Sequence, residues 1–426
     1  MSADRVERVI ISYEATTPSV FSLRDATRGL CEIIWVIDLT EPGMANSARL
    51  LSRVGRVVDV ADLTDDQIVT ALAAHRPTGM VALNDRRLTR LAALADGLDL
   101  AFHSPEVAQH LADKLLQRKT MQAAGVPVPP FWEVPAGLSK READRLSRSV
   151  RFPAVLKPRS GDGSRNVHHV YSADQLVGLV AGPPGQEPDG WIIEGYLESA
   201  VLPVSRFADV VSVESFVQNG TIEHLAVTGR FRFAEPFRET GSVLPSDLSA
   251  SDTRAACELA ADAVTALGIQ SGCQHTELKF TPDGPAVVEV NGRVGGGVPE
   301  LMTLAGGDVS LYRVAVELAL GKAPSVRLPL VFPRVAYRRI ATPPITAHRL
   351  VSMVGQERLQ DVPGVDEITI NRVPGDPVDW RLGLGDFIYS AFGSADDYDE
   401  VEQRCALIDR TVQIEYDSAV FAPSAR

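Results

Sequence analysis

Lysine is scarce in this chain. Of the 42 cationic side chains among 426 residues only six are lysine, against 55 acidic residues and a formal charge of −13. No basic block occurs anywhere, which excludes the electrostatic footprint of a nucleic-acid-binding protein. Cysteine is scarcer still. Cys31, Cys257, Cys273 and Cys405 are far apart and form no CxxC, so neither a disulfide framework nor a zinc site is expected. No apolar run approaches membrane-spanning length, and the opening MSADRVERVIISY has no basic stretch leading into an apolar core. A soluble, cytoplasmic protein is therefore expected. No GxGxxG follows the first apolar run, so the dinucleotide fingerprint is absent as well. What remains is ordinary globular composition, 45% hydrophobic and 23% charged, in a chain too long for one core; two to four packed units are expected.

The first hundred residues alternate apolar runs with amphipathic stretches. Residues 9–13, 32–39, 56–60, 79–84 and 98–103 read as strands with helices between them, hence a parallel sheet covered by helices. The stretch 64–75 opens with a capping box, Thr64 and Gln67, and stops before Pro77. Ser104 can cap the next helix, with Pro105 in its first turn. That helix is expected to run unbroken through HLADKLLQRKTMQAA to Gly125. Residues 181–190 (AGPPGQEPDG) read as a hinge, and a proline-punctuated unit of about 100 residues follows Gly321.

Four stretches carry chemistry. In FPAVLKPRSGDGSRNVHHV a strand delivers Lys157 to its end, and Ser160, Gly161, Asp162, Gly163 and Ser164 form a flexible loop. Such backbone can turn successive N–H groups toward a phosphate, and the lysine adds a point charge; a glycine-rich hairpin with one solvated lysine would read the same way. IIEGYLES brings a strand into Glu194, and VVSVESF carries Glu214 with Asp209 just before it; acidic strand ends are more often solvated than ligating. The fourth stretch, HTELKFTPDGPAVVEVNGRVGGG, is a hairpin about a Pro-Asp-Gly turn. Glu277 lies on its first strand, and Glu289 and Asn291 lie two apart on its second, on one face. Three oxygen-bearing side chains on an apolar hairpin suit a hard divalent cation, with Arg293 projecting from the same face.

Together these motifs resemble the ATP-grasp superfamily, in the branch of carboxylate–amine ligases that join amino acids. Asp113-Lys114 in LADKLLQRKTMQAAGVPVP resembles the family's DK helix and its GVPxP exit. The resemblance implies ATP bound by Lys114, Lys157, Ser160, Gly161, Gly163, Ser164, Glu194, Tyr196, Leu197 and Asp209, and Mg²⁺ (or Mn²⁺) held by Glu277, Glu289 and Asn291. It implies catalytic roles for Lys157 and Arg293, with Arg293 meeting the transferring phosphate. In 224–246 and beyond, Arg230, Glu239, Gly241, His275, Arg293 and Gly296 are the expected substrate contacts, with Glu239 and His275 as candidates to deprotonate the amine. Three positions depart from the family pattern: Gly195 stands for a second Glu, Asp209 for a ribose-binding Glu, and Asn166 for a loop Gly.

The implied fold is α/β, an ATP-grasp fold with an N-terminal parallel α/β unit over 1–113, an ATP-grasp unit over 114–322 hinged near 181–190, and a C-terminal α+β unit over 323–426. The implied activity is ATP-dependent amide or peptide bond formation through an acyl phosphate, releasing ADP and phosphate, with an amino acid as one substrate. Its partners are a small carboxylate and an amine, with neither nucleic acid nor membrane; dimers are common among related ligases, which suggests a homodimer. The alternatives are a biotin-carboxylase-like enzyme, although no Met-Lys-Met biotin sequence occurs, or an ATP-binding sensor without turnover.

Overall fold

In a computed structural model, residues 6–14, 18–41, 43–181, 187–202 and 205–418 are described. The N-terminal apolar runs become strands Arg8–Ser12, Glu32–Ile37, Arg56–Asp59 and Gly79–Val81, all parallel, with Arg8–Ser12 between Glu32–Ile37 and Gly79–Val81. Alternate residues serve opposite faces. Ile10 and Ile34 enter one core with helices Asp65–Ala73 and Leu88–Gly97, while Val9, Ile11, Ile33 and Trp35 enter another with Val20–Thr27 and Leu311–Ala319. Both faces are covered, which is why these strands read as continuous apolar runs. The Thr64 capping box forms as expected.

Two expectations are corrected. Residues 98–103 form no strand. Helix Leu88–Gly97 ends there because Asp99 takes a left-handed conformation (φ 55°) and the Leu100 N–H bonds back to the Ala95 carbonyl at 2.9 Å, closing the helix end. The helix opening at Ser104 is two helices, Pro105–Ala112 and Lys114–Ala123, parted at Asp113. Asp113 leaves helical geometry (φ −115°, ψ 108°), and its carboxylate caps the second helix by accepting from the Leu115 N–H at 2.9 Å. The aspartate that ends one helix therefore starts the next and makes Lys114 its first residue.

Beyond Val126 the chain builds an antiparallel sheet in the order Phe131–Val134, Trp191–Gly195, Ala154–Pro158, His168–Val170, backed by helices Lys140–Ser147 and Ala173–Val180. Of the stretch read as a hinge, residues 182–186 lie outside the described residues.

An eight-stranded antiparallel sheet follows, in the order Gly284–Asn291, Ser271–Thr281, Val210–Gln218, Thr221–Arg230, Gly241–Leu244, Val335–Ala341, Tyr389–Ala395, Val365–Ile370. It runs without interruption across position 322, because Gly241–Leu244 pairs directly with Val335–Ala341. Helix Tyr398–Thr411 and the strand pair Ala347–Val354 and Gln413–Ser418 complete a third core on the C-terminal end of this sheet. The fold is thus mixed α/β, a parallel sheet followed by antiparallel ones. Among the described residues no helix is long and apolar enough to cross a membrane.

Candidate functional site

The four-stranded and eight-stranded antiparallel sheets contribute opposite walls to a cavity of about 660 Å³. Alternation explains one wall. Ala154 and Leu156 are fully buried in the core, so Val155 and Lys157 face the cavity. The chain then passes through Ser160–Ser164, where Gly161 (φ 128°), Gly163 (φ 60°) and Ser164 (φ 59°) hold left-handed backbone, and every residue of the loop lines the cavity. Lys114, placed by the Asp113 cap, reaches the same space. Its Nζ lies 2.6 Å from the Gly161 carbonyl oxygen and 2.9 Å from Glu289 Oε1.

Behind Lys157 is a buried charge network. Lys157 Nζ lies 2.9 Å from Glu194 Oε2, and Arg118 Nε lies 2.8 Å from Glu194 Oε1. Burial pulls the Lys157 ammonium below its usual pKa, against the pull of Glu194, whereas Arg118 and Lys157 outweigh burial at Glu194 and keep it ionised. Two cations and one anion leave a surplus positive charge on the cavity side, where Lys157 stands.

The hairpin forms the opposite wall. Glu277 pairs directly across from Glu289, and His275 from Asn291. Like charges opposed across a ladder repel, so cations must intervene. Lys114 takes Glu289; His275 Nε2 at 3.3 Å and Arg230 Nη2 at 4.0 Å take Glu277, holding its carboxyl down at about 2 despite burial. His275 Nδ1 donates to Glu214 Oε2 at 2.8 Å, and Glu214 also accepts from Ser212 Oγ at 2.7 Å. Burial alone would discharge the imidazole, but Glu214 and Glu277 overcome it and lift its pKa to about 9. Arg293 is drawn in by the N-terminal unit, with Nε donating to Asp85 Oδ2 at 2.7 Å. Arg230 Nε lies 3.1 Å from Glu239 Oε1.

Most expected site residues meet here. Lys114, Lys157, Ser160, Gly161, Gly163, Ser164, Glu194, Tyr196, Leu197, Asp209, Arg230, Glu239, Glu277, Glu289, Asn291 and Arg293 all line the cavity. Three do not. His275 lies behind Glu277, 4% exposed, between the Glu214 and Glu277 carboxylates that raise its pKa, and does not line the cavity. Gly241 is a packing glycine, whose Cβ would run into the Arg338 carbonyl and come within 3.0 Å of the Phe231 ring. Gly296 has open space around it and is off the cavity wall.

Arg118 and Asp85 were not anticipated. Arg118 had a signal, since it lies one helical turn after Lys114 and so on the same face; Asp85 had none. Lys279, one of three lysines that lie within the sequence motifs, is here as well, its Nζ 3.6 Å from Asp209 Oδ2 and 4.9 Å above the Tyr196 ring, which stacks on His169 at 4.8 Å. Phe237, with φ of 60°, closes this aromatic corner 5.1 Å from His169.

Among the described residues no three His, Cys, Asp or Glu side chains converge as a metal-ligating group. The set on the hairpin is two carboxylates and an amide. Asn291 spends its Nδ2 on the His275 carbonyl at 3.3 Å, which turns its oxygen the other way. An all-oxygen set of two carboxylates and one amide fits Mg²⁺, which binds few protein groups and keeps positions for phosphate oxygens and water.

A family model described as an ATP-grasp domain matches residues 111–297. An uncharacterized protein of Sinorhizobium fredii, y4rH, is 26% identical over 335 residues, covering 77% of this chain and 62% of that protein. A biotin carboxylase of Allochromatium vinosum is 25% identical over 157 residues, 37% of this chain and 33% of that one. The chain thus spans less than two thirds of the length of either relative. The crystal structure of an L-amino acid ligase from Bacillus licheniformis superposes with a TM-score of 0.79 at 20% identity, over 98% of this chain and 100% of that one.

Proposed function

We propose, from the match of residues 111–297 to an ATP-grasp domain, that the chain is an ATP-dependent carboxylate–amine ligase that forms an amide or peptide bond through an acyl phosphate. The observation that carries the reading is the meeting, in one cavity, of Lys114, Lys157 and the 160–164 loop with Glu277, Glu289, Asn291 and Arg293. The similarity in fold to an L-amino acid ligase supports an amino acid as one substrate.

A carboxylate and a triphosphate repel, so the site must first shield both. Lys157 brings the surplus charge of its network to the phosphates, Lys114 a second ammonium, and the glycine-rich loop its backbone N–H groups. Mg²⁺ or Mn²⁺, when bound, would be held by Glu277, Glu289 and Asn291 and would neutralise phosphate charge. The substrate carboxylate oxygen attacks the γ-phosphorus, the bond to the β–γ bridging oxygen breaks, and ADP leaves. Arg293, held by Asp85, meets charge on the transferred phosphoryl group. The amine nitrogen then attacks the acyl carbon, loses a proton, and expels phosphate. With His275 off the cavity wall, Glu239 on that wall is the group we assign to receive that proton; Arg230 orients it. Tyr196, Leu197, Asp209 and Lys279 bound the adenosine end in this reading. The unit 1–113 supplies Asp85, 114–322 the nucleotide and cation groups, and 323–426 closes the cavity through Leu384.

Phosphate release measured over pairs of amino acids and simple carboxylic acids, with ATP and Mg²⁺, tests the reading. Release should require a carboxylate, rise with an amine-bearing second substrate, and vanish in Glu289→Ala. The biotin carboxylase relative makes bicarbonate a necessary arm: release driven by bicarbonate and indifferent to amines would favour the carboxylase, and no release with any carboxylate would sink the ligase.

A further inference from the structure

The outer side of the glycine-rich loop is held by a segment far away in sequence. The Leu384 N–H donates to the Gly163 carbonyl at 2.8 Å, and the Asn166 N–H donates to the Arg381 carbonyl at 2.7 Å. The Trp380 ring stands edge-on to His168, centroids 5.4 Å apart, on the strand that leaves the loop. Leu384 itself lines the cavity.

The segment Trp380–Asp386 is built to be stiff. Asp379 accepts from the Arg381 N–H at 3.0 Å and grips the Arg381 guanidinium at 2.8 Å. The Asp386 carboxylate, 1% exposed, accepts from the Asp379 N–H at 2.5 Å and from Arg372 Nε at 2.7 Å, tying the two ends together. Asn371 Nδ2 donates to the Phe387 carbonyl at 2.8 Å just beyond. At the centre Gly383 has φ 57° and ψ −132°, a conformation that only glycine adopts readily. A Cβ at Gly383 would run into the Gly163 carbonyl oxygen and approach the Ser164 carbonyl carbon to 2.8 Å.

The contact has a directional consequence. In a trans peptide the C=O and the following N–H point in opposite directions. Seating the Gly163 carbonyl on Leu384 therefore turns the Ser164 N–H away from the segment, toward the cavity that Ser164 lines. We propose that Trp380–Asp386 is a positioning element of the nucleotide site, orienting the phosphate-loop peptides so that the C-terminal unit sets the affinity for the triphosphate. The role in ATP binding rests on the ligase reading; the hold on the loop does not.

Gly383→Ala and Trp380→Ala test it, with Val331→Ser as a control outside the segment, at a side chain 74% exposed. Three readouts are needed: hydrogen exchange of the 160–166 amides without nucleotide, calorimetric binding of Mg·ADP, and KM for ATP and for the amine. Loss of one or two neutral hydrogen bonds predicts roughly five- to tenfold faster exchange in Gly383→Ala and a KM for ATP raised about five- to tenfold. Trp380→Ala should act in the same direction but less, the control not at all, and the KM for the amine should stay put. Unchanged exchange in both variants overturns the proposal, as does a uniform rise in every KM with a lowered melting temperature in both. Failure of the wild type to bind nucleotide would overturn the ligase reading, while the exchange data still decide whether the segment holds the loop.

Discussion

Replacing Arg118 by Met tests the buried network at its most enclosed point. Arg118 is fully buried, Glu194 5% exposed and Lys157 6% exposed, so little water screens the three charges. At a charge separation of about 4 Å and an effective dielectric constant of about 20, one ion pair is worth about 4 kcal/mol. The variant recovers part of the cost of burying the guanidinium, but leaves Glu194 with Lys157 as its one remaining cationic partner and orphans the Val288 carbonyl that Arg118 contacts. A net loss of about 3 kcal/mol is expected, at the lower end for breaking a buried pair. Native-state hydrogen exchange on Lys114–Ala123 and Ala154–Pro158 would read this as opening about a hundredfold more frequent. Glu194→Gln should cost a similar amount, because it leaves two cations facing each other. The double variant should cost clearly less than the two singles together, since each removes the other's unpaired charge. On the ligase reading, Arg118→Met also weakens nucleotide binding without touching the cavity wall, because Lys157 and Glu194 then neutralise one another. An Arg118→Met variant within about 1 kcal/mol of wild type, or strictly additive doubles, would refute the reasoning.

His275→Gln removes the cation from Glu214, which is 2% exposed, and should cost about 3 kcal/mol in urea denaturation; Glu214→Gln added to it should restore most of that loss, and a stable single variant would disprove the buried pair. His168 gives a pH dependence of the opposite kind: burial, then Arg381, pushes its pKa down to about 4, so the folded state resists the proton that the unfolded chain takes up below about 6.5. Its contribution is neutral above that range and becomes progressively destabilising as pH falls toward 4, so His168→Phe should flatten the acid limb of the melting temperature there, and an unchanged limb would contradict the assignment. Asp85→Asn frees the Arg293 guanidinium from its 2.7 Å anchor; phosphate release should fall about tenfold in kcat with KM for ATP little changed, and equal effects on both would show that Asp85 does more than position Arg293.

The parts of the site legible in the sequence were those set by local periodicity. Strand alternation places Val155 and Lys157 on one face and Glu289 and Asn291 on another, and the Thr64 box and the Ser104 cap are complete within four residues. What escaped depends on contacts between distant segments or on a local break that competes with a continuous pattern. Asp113 sits in a good helical stretch, yet its side chain caps a new helix there while pairing with Arg159, just past the end of strand Ala154–Pro158. His275 reads as a candidate base from its place on the acidic hairpin; Glu214, on the neighbouring strand, pairs with it and raises its pKa. Residues 98–103 have a strand's composition, but the left-handed Asp99 sends the chain elsewhere.

The hairpin holds the deepest of these cases. Counting back from the Pro-Asp-Gly turn, Thr281 pairs with Gly284 and Leu278 with Val287, so a regular ladder would set Glu277 opposite Val288. A bulge between Glu277 and Leu278 passes over Val288 and puts Glu289 there instead. A one-residue slip reverses every side chain beyond it, so without the bulge Glu289 and Asn291 would turn away from Glu277. The same irregularity takes the Val288 carbonyl out of the ladder, and Arg118 donates to that oxygen. Arg118 then holds Glu194, and Glu194 holds Lys157. One inserted residue thus joins the carboxylate wall of the cavity to the ammonium wall. Nothing in the residue types of PAVVEVN announces it, because a bulge is a choice between two registers that the rest of the molecule decides. Deleting Val288 should therefore heal the bulge and keep Glu289 opposite Glu277 while stripping Arg118 of its carbonyl, so calorimetric binding of Mg·ADP should suffer less than in Glu289→Ala, and a larger loss than in Glu289→Ala would refute the register argument.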